Sequence, residues 1–430
     1  MVGGIIQMMH SDSDSYLIGN PQITFFKSVY FRHTNFAIES VQFNFNNNIT
    51  TAESVATCNI PKSGGDLLHN LYLEIDLSGT EAPDTSGYIN WTNATAYAFV
   101  KEATIKIDNQ ILDKHYSEWF DIWNELTNYK LFEDGMINKH HGKELYLRSA
   151  KTKKIPPILR MYMPLQFWFC RNPGLALPLI ALQYSNIVLE LKFRNLNYLI
   201  NCNGKGKEQT EVPKVKLYGD LIYLDSDEKK RFAQRPHEYL IEQVQFNGPQ
   251  KLNTTHQLNY NHYVKEIIWV CRGKKLGETV PTGTDNINPI NNIDGGAHNN
   301  GNDYFNYTAN AKNFTEHLFT DEYYEHFSKA TIILEGNERF TKRNASYFRT
   351  IQSHNHHTNV PLNREKKVYL YSFALHPEEH QPSGFLNFYK VAKAELKFDD
   401  VLEDEDILIF ATNYNILRIS DGIGALAYVE

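Results

Sequence analysis

The heptapeptide IESVQFN at residues 38–44 occurs again as IEQVQFN at residues 241–247, with six of seven positions identical at an offset of 203 residues. A second matching segment, ELKF, lies at 190–193 and at 395–398, at an offset of 205 residues. Two matches in the same order and at nearly equal offsets indicate an internal duplication. The two matches lie too far apart within each copy for a solenoid repeat, so each copy is a whole domain.

The repeated segments have the alternation of β-strands. In the first copy Val41 and Phe43 share one face, while Gln42 and Asn44 share the other. LYLEIDL at 71–77 likewise places its four apolar residues on one face. One apolar face per strand is typical of antiparallel sheets packed against each other, so we predict two tandem β-sandwiches.

Helical patterns are few and short, at 116–127, 225–234 and 343–352, which excludes a doubly wound α/β fold. The segment 225–234 has an acidic start and a basic end, as suits a helix dipole, and it lies between the two copies. We therefore predict an all-β chain with a few short helices. Its parts are an N-terminal arm at 1–24, domain 1 at 25–224, a helical linker at 225–236, and domain 2 at 237–430 with a long surface loop at 273–313.

Composition excludes several classes of protein. The 430-residue chain carries a net charge of −7, so it is not a basic coat for nucleic acid, and we expect no direct nucleic-acid partner. The apolar stretches are too short for a membrane span, and MVGGIIQMMH at 1–10 lacks the basic start of a secretory signal. The four cysteines lie far apart without a CxxC motif, which is typical of a reducing compartment and argues against a disulfide framework or a zinc knuckle.

No segment makes a positive case for catalysis. HPEEH at 376–380 differs from the HExxH zinc helix because Pro377 follows the first histidine, so a loop is favoured. HNHH at 354–357 has no matching ligands nearby and is read as a polar turn, and GKGK at 204–207 lacks the spacing of a phosphate loop. We predict no catalytic residues, no metal site and no cofactor.

Some Asn-X-Ser/Thr sequons are candidate glycan acceptors, although most are expected to be coincidental in a chain rich in asparagine. The candidates are Asn90, Asn93, Asn253, Asn306 and Asn313.

Four blocks of sequence resemble the major capsid proteins of large nucleocytoplasmic DNA viruses, most closely the phycodnavirus and mimivirus-like branches. They are GNPQITFFKSVYFRHTNFAIES at 19–40, YLDSDEKKRFAQRPHEYLIEQVQFNG at 223–248, YSFALHPEEHQPSGFLNF at 371–388 and ATNYNILRISDGIGALAY at 411–428. These blocks span nearly the whole chain, whereas the loops at 78–101 and 273–313 show no family pattern.

The resemblance implies a double jelly roll, that is, two tandem eight-stranded antiparallel jelly rolls. It also implies a homotrimer of pseudo-hexagonal outline that packs with neighbouring capsomers into an icosahedral capsid, assembled in the host cytoplasm. Minor capsid proteins would bind the inner face, and the arm at 1–24 would face the internal viral membrane. The loops at 78–101 and 273–313 would form the outer tower.

Two other functions stay open at the level of sequence. A paralogous minor capsid or scaffold protein would share the fold and most motifs. A β-sandwich carbohydrate-binding protein or hydrolase would account for the 13% aromatic content, but it would not require the duplication.

Overall fold

The computed structural model describes residues 3–8, 12–79, 89–127, 136–139, 158–202, 210–273, 304–307, 325–361, 366–403 and 405–428. The chain divides into two units, Met1–Phe36 and Ala37–Glu430. The smaller unit contains the short helices α1 (Gly3–Met8) and α2 (Ser15–Ile18), followed by chain without regular secondary structure. Its apolar side chains are largely exposed, including Tyr16, Leu17 and Phe26.

The first sandwich consists of two four-stranded sheets and one small accessory pair. Its strands are β1 (Phe36–Phe43), β2 (Ser54–Asn59), β3 (Leu67–Ser78), β4 (Ile89–Trp91), β5 (Val100–Ile107), β6 (Gln110–Tyr116), β7 (Ile158–Pro164), β8 (Ile187–Phe193), β9 (Ile200–Cys202) and β10 (Lys214–Leu224). The strand orders are β1–β10–β3–β7 and β2–β8–β5–β6, and β4 pairs with β9. Apart from the β5–β6 hairpin, consecutive strands of the two main sheets therefore alternate between the sheets, as in a jelly roll.

The second sandwich repeats this strand order. Its strands are β11 (His237–Phe246), β12 (Gln250–Lys251), β13 (Thr255–Gln257), β14 (Tyr263–Gly273), β15 (Lys329–Leu334), β16 (Asn337–Glu338), β17 (Arg343–Asn344), β18 (Val368–Ser372), β19 (Leu386–Asn387), β20 (Ala394–Asp399), β21 (Glu405–Ser420) and β22 (Ile423–Leu426). The main orders are β11–β21–β14–β18 and β13–β20–β15–β16, and β17 also pairs with β15. The short strands β12, β19 and β22 extend the larger sheet.

The structure explains the repeated sequence segments. IESVQFN and IEQVQFN lie on β1 and β11, which occupy the same edge position in their sheets. The two ELKF segments lie on β8 and β20, which are also equivalent in order. The predicted all-β fold of two tandem jelly rolls is therefore confirmed.

Helices occupy connections between strands. They include α3 (Thr95–Phe99), α4 (Ser117–Thr127), α5 (Trp168–Arg171), α6 (Ser226–Gln234), a π-helical turn at Tyr347–Ile351 and α7 (Gln352–His356). α6 lies between β10 and β11, and Asp225 caps it by accepting hydrogen bonds from the amides of Asp227 and Glu228. None of the described helices is long and apolar enough to cross a bilayer.

The two larger sheets are buried in different ways. On β3 the apolar residues of LYLEIDL face the core of the first sandwich, as predicted, and the alternate residues are only half-buried. On β14 both faces are buried: Ile267 and Trp269 belong to the core of the second sandwich, whereas Ile268 and Val270 face the first sandwich. The outer face of the β14 sheet is therefore an internal surface of the chain.

Candidate functional site

The two sandwiches meet at a buried contact surface, which we call the junction. One side is the outer face of the β11–β21–β14–β18 sheet, and the other is built mainly from β6 and α4. The ring of Trp119 on α4 lies 5.6 Å from that of Phe410 on β21, measured between centroids. The Val244 amide on β11 donates to the Asp113 carboxylate on β6 over 3.0 Å. α4 is buried from Ser117 to Leu126, so it functions as a core element shared by both sandwiches.

The acidic face of α4 holds a buried charge cluster. Asp121 and Glu125 lie one helical turn apart, and Lys139 contacts their carboxylates at 3.0 and 2.7 Å. Lys366, which precedes β18 of the second sandwich, donates to Asp121 over 2.7 Å. Burial alone would raise the pKa of the Asp121 carboxyl, but Lys139 and Lys366 lower it below its usual range. Asp121 is therefore charged and bound by one cation from each side of the junction.

Glu118 extends the cluster along the same helix. Arg272 on β14 lies 3.0 Å from its carboxylate, and Arg194, which follows β8, lies 3.9 Å away. Burial would raise the pKa of Glu118, but the two guanidinium groups lower it. α4 is thus bound by cations from both sandwiches at two successive points.

Residues Tyr304–Tyr307 pack into the junction and belong to the predicted surface loop at 273–313. The Tyr304 hydroxyl donates to the carbonyl of Tyr198 over 2.8 Å, and Arg194 stacks on the Tyr304 ring at 4.5 Å. Lys366 donates to the carbonyl of Phe305 over 2.8 Å. These four residues are buried rather than on the surface, because their rings and carbonyls complete the environment of the buried cations. Residues 80–88, 274–303 and 308–313 lie outside the described residues.

A second charge group joins α5 to the second sandwich. Glu242 on β11 accepts from Arg171 over 2.7 Å and contacts the buried Lys265 at 2.8 Å. Arg171 also stacks on the ring of Trp123 from α4 at 4.4 Å. Lys265 donates in turn to the carbonyl of Pro377 over 2.6 Å. This group fixes the HPEEH segment against the junction.

The two histidine motifs come together in a hydrogen-bonded group. His357, the last residue of HNHH, lies 2.9 Å from Glu266 on β14 and 2.8 Å from Glu378 of HPEEH. The side chain of Trp123 meets His357 edge-on at 6.2 Å. Burial alone would lower the pKa of His357, but the two carboxylates raise it to about 9. His357 is therefore a cation at neutral pH.

No group of His, Cys, Asp or Glu in the described part of the chain is arranged to hold a metal ion. The carboxylates around His357 instead satisfy its two ring nitrogens. GKGK at 204–207 lies outside the described residues. Sequence analysis did not find the buried charge groups. A signal that could have indicated them is the apolar run IIWVC at 267–271, which ordinarily marks a strand buried on both faces.

The candidate glycan acceptors differ in their surroundings. Asn253 is exposed in the connection before β13, whereas Asn93 and Asn306 are buried and Asn90 lies on β4. Asn313 lies outside the described residues. Glycosylation stays a prediction, and exposure favours Asn253.

Comparison with known proteins identifies the family. Residues 24–225 match the family described as "Major capsid protein N-terminus", and residues 228–425 match "Large eukaryotic DNA virus major capsid protein". The chain is 37% identical to the major capsid protein of Pyramimonas orientalis virus and 34% identical to that of Paramecium bursaria Chlorella virus 1, with 100% of each chain covered.

The solved structures agree with these sequence matches. A quasi-atomic model of the PBCV-1 virus capsid superposes with a TM-score of 0.70 at 29% identity, covering 95% of this chain and all of that one. The Faustovirus major capsid protein has the same fold, with a TM-score of 0.68 at 14% identity and 93% of each chain covered. The chain belongs to the major capsid proteins of large eukaryotic DNA viruses.

Proposed function

We propose that three copies of this chain form a capsomer of pseudo-hexagonal outline and that these capsomers tile an icosahedral shell. The chain is a structural protein of the virion capsid, not an enzyme, and it associates with itself there. The observation that supports the trimer is that one chain carries two sandwiches of the same strand order, joined through a buried junction. Three such chains present six similar lobes, which lets a threefold object pack like a hexagon.

The domain boundaries are part of this proposal. The arm covers residues 1–24, the sandwiches cover 25–224 and 237–430, and the linker covers 225–236. Exposed apolar residues in the arm, such as Tyr16 and Leu17, favour a covering partner, and we assign the arm to the inner face of the shell with its minor capsid proteins and membrane. The connections from β3 to β5 and from β14 to β15 are equivalent, so the loops at 78–101 and 273–313 would form one outer tower, apart from their buried residues at 91–100 and 304–307.

Contacts within the trimer should be larger than those between trimers. Permanent interfaces bury on the order of 2,000 Å² or more, whereas contacts between capsomers should be smaller and more polar so that misplaced capsomers dissociate. Limited proteolysis of intact particles tests the inside and outside assignments. Cleavage in the arm without cleavage in the loops would contradict them.

The solution mass of the purified chain tests the trimer. Light scattering should give one species near 149 kDa, three times the 49.8 kDa of the chain, with hexagonal outlines in negative stain. A folded species of 49.8 kDa would overturn the proposal. The number of copies in the particle separates a major from a minor capsid protein. The relatives give no support to a carbohydrate-binding protein.

A further inference from the structure

Because the chain contains two copies of one fold, each element at the junction has an equivalent in the other sandwich. In the first sandwich β6 leads directly into α4, before β7. In the second sandwich the short strands β16 and β17 lead into the π-helical turn at Tyr347–Ile351 and α7, before β18. Helical backbone begins right after the strand in both copies, at residue 117 and at residue 345. The turn and α7, together called the second-copy helix, therefore correspond to α4.

α4 has a defined docking position within the chain. It lies on the outer face of the β11–β21–β14–β18 sheet, where Trp119 meets Phe410 and Glu118 meets Arg272. The equivalent sheet of the first sandwich is β1–β10–β3–β7. If the two contacts are equivalent, the second-copy helix should dock on the outer face of that sheet.

The outer face of the first sheet presents stacked tyrosines and ion pairs. Tyr72 on β3 and Tyr218 on β10 stack at 5.2 Å between ring centroids. Beside them Lys216 contacts Glu74 at 2.8 Å, and its side chain is 45% exposed. In the described part of the chain this face is therefore partly exposed to solvent. The equivalent outer face of the β14 sheet is buried.

The second-copy helix also presents an open surface. Phe348 and Gln352 point into the second sandwich, whereas Ile351 is 48% exposed and His354 and Asn355 are exposed. With residues 117 and 345 aligned, Ile351 occupies the position of Trp123, which lies inside the junction. An apolar residue at this position, flanked by polar ones, suits a partner face made of tyrosines and ion pairs.

We propose that the second-copy helix of one chain docks on the outer face of the β1–β10–β3–β7 sheet of the next chain. This inference rests on the proposed trimer. One copy contributes the helix and the other contributes the sheet, so the contact is heterologous. Repeated three times it closes a ring in which contacts within and between chains alternate. The partner is a second copy of this chain, because the helix that corresponds to α4 and the sheet that corresponds to its docking face both belong to this sequence.

Two single variants and their mixture test this arrangement. Ile351→Asp disrupts the helix surface, and Tyr218→Asp disrupts the sheet surface. Each variant alone should be a folded monomer of 49.8 kDa, because every copy then lacks one half of the contact. An equimolar mixture still allows one intact contact, between the helix of the Tyr218→Asp chain and the sheet of the Ile351→Asp chain. The mixture should therefore give a dimer near 99.6 kDa, twice the mass of the chain.

Controls separate docking from folding. Lys216→Glu is a milder sheet variant and should also reduce the trimer population. Val55→Asp places a carboxylate on the other sheet, at a side chain that is 43% exposed, and should leave the trimer intact. Circular dichroism should show the secondary structure of the wild type for all four variants, whereas the melting temperature is expected to fall where the trimer is lost.

The outcomes distinguish this inference from the proposed function. A wild-type trimer whose mass persists in Ile351→Asp and in both sheet variants would overturn the docking arrangement and leave the capsomer standing. Monomeric single variants whose mixture gives no dimer would also overturn it, because a heterologous contact requires the complementation. A wild-type chain that is itself monomeric would overturn the proposed function.

Discussion

The outer faces of the two larger sheets occupy equivalent positions and have opposite chemistry. On the second sandwich the outward residues of β14 include Ile268 and Val270, which are buried against the first sandwich within the chain. On the first sandwich the outward residues of β3 include Tyr72, Glu74 and Asp76, which remain half-buried. One face is closed during folding of the chain, and the other is open.

The difference follows from when each contact forms. A face that the same chain covers on folding can be continuously apolar, because it is never exposed on the folded protein. A face that waits for a second copy must stay soluble, and a continuous apolar patch there would promote aggregation. The buried charges on the closed face are instead held in fixed pairs, which specify how the sandwiches pack.

The largest expected effect is the loss of stability when a buried cation at the closed face is removed. Lys366→Met removes the contacts to Asp121 and to the carbonyl of Phe305, and leaves a buried carboxylate with less compensation. Breaking a buried ion pair from one side costs about 3–5 kcal/mol. Urea unfolding should show this loss at a fixed chain concentration, which is needed because association shifts apparent stability.

The matched control is a lysine on the open face. Lys216→Met removes a contact of similar length, 2.8 Å to Glu74, at an exposed position. In the Ile351→Asp background, where trimer contacts do not contribute, its unfolding midpoint should equal that of the parent, because exposed ion pairs contribute little. Equal losses in the two variants would contradict the distinction between a closed and an open face.

The next largest expected effect is a pH dependence of the unfolding free energy that comes from His357 at the closed face. The folded-state pKa of His357 is about 9, above its ordinary value of 6.5. Its charge therefore stabilises the fold fully below about pH 6.5, and this contribution is lost as the pH rises through 9. The shift corresponds to about 3 kcal/mol. Urea unfolding between pH 6 and pH 10 should show a decline that is absent from His357→Gln.

His354→Gln provides the control for this pH dependence. His354 belongs to the same HNHH segment but is exposed. This variant should keep the decline of the wild type. An unchanged decline in His357→Gln would show that other groups cause it. At acidic pH the opposite sign holds for Glu266, whose lowered pKa makes its contribution disappear as the pH falls below the usual carboxylate range.

Sequence predicted the features that depend on local pattern. The alternation in IESVQFN and LYLEIDL placed β1 and β3 correctly, and the repeat indicated two copies of one fold. The acidic start and basic end of 225–234 predicted α6 to within a residue. Each of these signals lies in a few neighbouring residues, so no tertiary information was needed.

The junction could not be predicted because its partners lie far apart in sequence. Asp121 and Lys366 are separated by 245 residues, and His357 and Glu266 by 91. Taken alone, HNHH and HPEEH are polar segments without obvious partners, and the repeat does not show which sheet face is covered. The burial of Tyr304–Tyr307 was hidden by the polar residues around them.

The smallest expected effect concerns the ion pair on the open face. Replacing both Glu74 and Lys216 by leucine makes this face resemble the closed one, while Tyr72 and Tyr218 stay in place. In a chain that does not trimerise the unfolding midpoint should not change measurably, because the pair lies at the surface. In an Ile351→Asp background, which keeps the face uncovered, the double variant should precipitate at lower ammonium sulfate concentration than its parent. Unchanged solubility would mean that the polar character of the open face serves docking alone. A lower unfolding midpoint would mean that the ion pair stabilises the sandwich itself.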